Sequence, residues 1–114
     1  LLSEVECPTH DTHGQYKFNY RHPHITGGAD AIRRIGWCTG AAQGYLTQAA
    51  ELGLDAFISG EISESTVHAA RELGIHYFAA GHHATERYGV QALGEHLAAR
   101  YSLDYRFAEI PNPV

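Results

Sequence analysis

The chain has 114 residues, 44% of them apolar and 18% charged, an ordinary globular balance that fits one compact domain. Its net charge of −5 and pI near 5.9 come from dispersed acids, which excludes the basic footprint of a direct nucleic-acid binder. No apolar run approaches the roughly 20 residues that a membrane crossing needs and the start lacks a secretion-signal pattern, so a cytoplasmic protein with no membrane partner is expected.

Residues 1–20 show no sustained period and are read as irregular, with a short helix possible at the start; residues 21–114 are read as one α/β domain. From Ile32 onward, short β-branched or aromatic runs ending in glycine alternate with helical stretches. A first strand is expected over 32–39, closing at Gly40, and a helix over 42–52 with Tyr45, Ala49 and Leu52 inward and Gly53 as its stop. A second strand covers 56–59. Ser63 caps a helix that runs to Leu73 with Val67, Ala70 and Leu73 inward, and Gly74 ends it. A third strand, 76–80, leads through Gly81 to a helix over 85–101 with Val90, Leu93, Leu97 and Tyr101 on one face. A last strand, 104–110, is ended by Pro111 and Pro113, because proline cannot donate to a ladder.

The segment from Glu51 to Glu61 aligns without gaps on that from Glu72 to His82, an offset of 21 residues. Each copy is a helix end, a glycine stop, a strand and a glycine. So short a crossover suits adjacent parallel strands, whose carboxyl ends then share one edge of the sheet. The expected architecture is a three-layer α/β/α fold with a largely parallel sheet. Glu61 and His82 occupy equivalent places just past neighbouring strands, about 4.8 Å apart, within reach of a common point. That edge is where open α/β sheets bind ligands.

Nine histidines in a chain of this length hint at metal, and they are scattered, unlike a tag. The sharpest local signal is Gly81-His82-His83-Ala84-Thr85-Glu86. His82 and Glu86 are four apart, on one face of a helix entry, and an imidazole with a carboxylate suits Zn, Fe, Mn or Co. The plainer reading makes Glu86 a first-turn acid that complements the helix dipole and the histidines mere caps. Three features favour the metal reading: the carboxyl edge, the neighbouring Glu61, and the poor fit of adjacent histidines to packing. Glu61 is either a helix-entry acid near Ser63 or a working group. In the second case it takes a proton from metal-bound water or fixes one tautomer of His83. Cys7 and Cys38 form no disulfide framework, and Cys38 is expected to be a buried, inert thiol at the same edge. The His10-Asp11-Thr12-His13 cluster reads as solvated loop, Arg33-Arg34 as solvated charge, and Gly27-Gly28 is too short for a phosphate loop. The chain has no Met, so a fragment or processed chain is expected.

Four ordered motifs, Gly36-Trp37-Cys38-Thr39-Gly40, Asp55 to Glu61, Gly81 to Arg87 and Ile110-Pro111-Asn112-Pro113, closely resemble the Nif-three-like family over residues 21–114. Many members of that family are labelled GTP cyclohydrolase I type 2 homologues. The resemblance implies the carboxyl-terminal half of a two-domain α/β protein with two divalent metal ions between the halves, assembled as a homohexamer. It assigns His82 and Glu86 as ligands and leaves His83, often Tyr in relatives, as a neighbour facing substrate. The family's other ligands, a paired His-His, a further His and an Asp, lie in an amino-terminal half that this sequence does not contain. Two functions follow as expectations. One is a metal-dependent hydrolase acting on a small molecule such as a guanine nucleotide, with Glu61 and His83 as catalytic groups. The other is a non-enzymatic metal-holding scaffold that binds protein partners. Thiol chemistry at Cys38 is a third.

Overall fold

The computed structural model describes residues 24–112 and the backbone of an earlier strand, β1 (Ser3–Glu6). Cys7 and the His10 to His13 cluster lie outside the described residues. The other elements are β2 (His24–Ile25), β3 (Arg34–Trp37), a 3-10 turn (Gln43–Tyr45) running into α1 (Leu46–Glu51), β4 (Ala56–Ser59), α2 (Glu64–Leu73), β5 (His76–Ala79) and α3 (His82–Tyr101).

The strands form one mixed sheet in the order β1-β3-β4-β5-β2. Its centre, β3-β4-β5, is parallel, and β1 and β2 add antiparallel edges. The α/β class and the parallel centre agree with the sequence. The edges do not follow from it: the start, expected to be irregular or to open with a short helix, holds a strand, Ser3 opposite Trp37 and Glu6 opposite Arg34. Helices α1 and α2 join consecutive parallel strands and pack against each other.

Both faces of β4 and β5 are buried, as a central parallel strand demands. Phe57 and Tyr77 stand opposite each other in the register, both fully buried, with ring centroids 6.1 Å apart. Leu46, Ala49, Leu54, Ala70 and Ile75 fill the space around them. The buried faces of the helices share Ala49 and Ala70 with those expected and are otherwise rotated from them. Leu46 and Ala49 point inward on α1 while Tyr45 and Leu52 are each 49% exposed, and α2 buries Thr66 and Ala70 while Leu73 stays outside. The cause in α1 is the 3-10 turn that replaces its first residues, since three residues per turn shifts every later side chain around the axis.

Helix α2 is bounded as its chemistry dictates. Ser63 and Thr66 form a reciprocal capping box, and Gly74 takes the left-handed conformation (φ 66°) that ends the helix. Gly27 and Gly28 have a packing role, because a Cβ on either would strike the end of α2 or the His76 ring. The His76 ring in turn bonds the Ala29 carbonyl at 2.7 Å. Nor are the arginines merely solvated: Arg34 Nη1 donates to the Leu52 and Gly53 carbonyls, and Asp55 accepts from the backbone N–H groups of Arg33 and Arg34 at 2.8 Å each.

Helix α3 begins three residues earlier than its periodicity suggests, at His82, and ends at Ser102 in a left-handed turn (φ 53°). Its expected inward residues are exposed, Val90 by 58% and Leu93 by 57%. The segment expected as a last strand is irregular, with no ladder partner among the described residues. It runs back along α3 instead. Tyr105 sits against Gly94, where any side chain would overlap its ring, Phe107 lies under the Arg87 guanidinium, and Glu109 reaches Arg87 and His83. Among the described residues no helix is long and apolar enough to cross a membrane.

Candidate metal centre

The carboxyl rim of the parallel strands is paved with glycine. Past the strand ends the ladder continues through main-chain bonds, from Gly60 N–H to the Gly40 carbonyl (2.8 Å) and from Gly81 N–H to the Gly60 carbonyl (3.0 Å). A Cβ on Gly60 would lie 2.7 Å from the Gly40 oxygen and 2.8 Å from His82 Cα, so the start of α3 rests directly on backbone. Ser59, fully buried, braces this turn by donating to the Gly40 carbonyl (3.0 Å) and accepting from Ala42 N–H (3.1 Å). Thr85 closes it from above, since its Oγ1 accepts from Gly40 N–H (3.0 Å) and donates to the Gly81 carbonyl (2.9 Å).

On this platform His82 lies between two carboxylates. Its Nδ1 meets Glu61 Oε1 at 2.5 Å, and its Nε2 faces Glu86 Oε2 at 3.1 Å. The internal repeat therefore marked a real juxtaposition, because β4 and β5 are neighbours and the residues beyond them touch. Glu61 is held from the core side as well, by the Tyr77 hydroxyl donating to its backbone carbonyl. The hydrogen bond that His82 donates to Glu61 raises its pKa above the usual 6.5, partial burial opposes the rise, and the Glu86 charge adds to it.

The Glu61 carboxylate bonds His82 and not His83, contrary to one expectation for it. His83 is one residue further round α3, and its Nε2 lies 3.5 Å from Glu109 Oε1. Cys38 is half-buried beside the core, its N–H bonded to the Ile58 carbonyl (3.0 Å). Three contributors escaped the sequence reading: Thr85, Gly40 and Glu109. The first two stand inside motifs already singled out. Glu109 gives no local signal.

The pair fits a divalent cation as part of a ligand set. A separation of 3.1 Å is what two atoms each about 2.1 Å from one cation span at roughly a right angle. Among the described residues no group of three or more His, Cys, Asp and Glu converges on such a point, so this pair alone would leave a set of four to six incomplete.

Known proteins repeat this arrangement of elements. The chain is 69% identical over 84 residues to the GTP cyclohydrolase 1 type 2 homolog of Allochromatium vinosum, an alignment covering 74% of this chain and 33% of that one. With the homolog of the same name from Pseudomonas aeruginosa it shares 57% over 94 residues, 82% of this chain and 37% of the relative. The chain thus spans about a third of the length of these curated relatives. A solved structure described as protein ybgI of unknown function superposes with a TM-score of 0.79 at 49% identity, over 82% of this chain and 38% of that one. The structure of TTHA1606 from Thermus thermophilus gives 0.74 at 32% identity, over 82% and 37%. The family model for Duf34/NIF3 (NGG1p interacting factor 3) matches residues 8–113, which takes in every element from β2 to α3, and the chain belongs to that family.

Proposed function

We propose that His82 and Glu86 are two ligands of a divalent-cation site completed by groups outside the described residues, in a hydrolase of the GTP cyclohydrolase type. One observation carries the reading. Glu61 holds His82 Nδ1 at 2.5 Å, which leaves Nε2 as the ring atom facing the Glu86 carboxylate across 3.1 Å. With the ring neutral and its proton on Nδ1, Nε2 and the Glu86 carboxylate offer a cation two donor atoms, in the place that a proton takes when the ring is charged. Zn, Fe, Mn or Co suits this donor pair, and such an ion, when bound, makes water acidic enough to attack near neutral pH and polarises an electrophilic carbon.

The chain's own residues then have distinct tasks. His82 and Glu86 hold the ion. Glu61, bonded to His82 Nδ1 through Oε1, sets the tautomer and orientation of the ring. His83 stands next to the pair, placed to meet a substrate. The names of the relatives support a guanine nucleotide as the first small-molecule substrate to try. Two ions per complete site and a hexameric assembly belong to the same proposal.

Metal content of the purified protein after dialysis tests the site, with His82→Ala and Glu86→Ala beside the parent. Both variants lose bound metal if the reading holds, and retention by both overturns it. Consumption of GTP, followed chromatographically with the same variants as controls, then tests the activity. A second reading, a metal-holding scaffold for protein partners, is favoured by the apolar row of Val90, Leu93, Leu97 and Tyr101 exposed on α3. Metal retained with GTP untouched, together with concentration-dependent assembly, selects it.

A further inference from the structure

Beside the His82/Glu86 pair, shifted by one residue along α3, lies a second pair four apart, His83 and Arg87. The shift turns it about 100° around the helix, onto the face that the returning tail covers. Residues 105, 107 and 109 of the tail alternate toward that face, and Glu109 ends up between the two donors: Oε2 pairs with Arg87 Nη2, while Oε1 stands 3.5 Å from His83 Nε2, an ion-pair distance without hydrogen-bond geometry. The Phe107 and Tyr88 rings flank the guanidinium at 5.9 and 5.7 Å from its carbon.

Glu109 does not satisfy these donors. Arg87 Nε and His83 Nε2 are sealed from solvent and have no hydrogen-bond partner among the described residues. A planar carboxylate has two oxygens, and one of them is committed to Arg87 Nη2. A tetrahedral oxyanion has enough oxygens to face Nη2, Nε and the imidazole together, and arginine's rigid fork matches that geometry.

We propose that Arg87 and His83 form a phosphate-binding subsite next to the metal pair, and that Glu109 is its intramolecular occupant, displaced when a phosphate group enters. The subsite follows from Arg87, His83 and Glu109 alone; only its assignment to the substrate of the metal site rests on the function proposed above. A phosphate held there would lie one residue along α3 from the ion, which suits a phosphorylated small molecule whose reacting carbon faces His82 and Glu86.

Titration of the purified protein with inorganic phosphate, by calorimetry in the presence of a chelator, keeps the test independent of metal. Glu109→Gln keeps the shape and removes the competing charge, and should bind phosphate about tenfold more tightly than the parent, the scale expected for losing one tethered competitor. Arg87→Gln added to Glu109→Gln should abolish binding. Phe107→Ala, which loosens the tail and leaves Glu109 in place, should give a smaller gain and serves if Glu109→Gln misfolds. Folded Glu109→Gln and Phe107→Ala proteins that gain no phosphate affinity overturn the proposal, as does tight binding that survives loss of Arg87. Loss of metal from His82→Ala with phosphate binding unchanged leaves the subsite standing on its own.

Discussion

Replacing Gly40 with alanine should disable the metal pair while leaving the fold largely intact. Gly40 has φ 68°, where a residue with a Cβ is strained by roughly 1–2 kcal/mol. Restricting the unfolded chain returns about 0.4–1 kcal/mol, so the net backbone cost is near 1 kcal/mol. The new methyl would overlap Glu86 Oε1 and lie 3.0 Å from Glu86 Cδ and 3.2 Å from His82 Nε2. Because the Glu86 side chain is 53% exposed, it can swing outward, and the clash is relieved at the expense of the ligand pair and not of the core. Affinity for Zn or Mn, read by competition with a chromophoric chelator, should therefore fall by at least about tenfold, the low end of what disturbed ligand surroundings cost. Gly44→Ala is the matched control. It has nothing within 4 Å and no positive φ, so it should keep parental affinity and gain up to about 1 kcal/mol in stability. A Gly40→Ala protein that melts cooperatively and binds metal like the parent would refute the idea that the bare rim lets Glu86 meet His82.

Three further substitutions have expected outcomes. Glu61→Gln should weaken metal binding by about 10- to 100-fold without removing a ligand. In metal-free protein the raised His82 pKa contributes stability that is fully present below pH 6.5 and is lost as pH rises through the folded value, so Glu61→Gln should flatten that slope in a series of melts. Asp55 behaves oppositely. Its pKa is lowered by the N–H groups of Arg33 and Arg34, so its contribution is present above 3.8 and disappears as pH falls through the folded value. Asp55→Asn should therefore cost about 1 kcal/mol at neutral pH, reduced by solvent screening, and almost nothing near pH 2, as judged by urea midpoints. Gly94→Ala should expel the Tyr105 ring and free the tail, so that limited proteolysis cuts within 103–112 faster while far-ultraviolet dichroism is unchanged.

The parts of the fold that the sequence announces are those whose cause is local. The limits of β4, α2 and β5 follow from glycine stops, a Ser63 cap and apolar runs, and all three elements lie where those signals put them. The repeat carried longer-range information, since equal units on neighbouring parallel strands must bring Glu61 and His82 to one rim. What stayed hidden depends on partners far along the chain. The short edge strand β2 is defined by its pairing with β5 and not by any pattern of its own. The alternation in residues 104–110 does mark extended chain. It serves the surface of α3, however, and an alternating pattern cannot name the element that reads it. The spacing of Val90, Leu93 and Leu97 on α3 likewise describes a face without saying whether anything within the described residues covers it.

The glycine-paved rim has a consequence for how such a protein diverges. Gly40, Gly60 and Gly81 are joined by peptide groups alone, so the floor under α3 has the same height whatever side chains fill the strands behind it. Substitutions in the core can accumulate and be repacked while the floor stays level. Drift should therefore be tolerated in strand interiors and punished at three positions that carry no side chain.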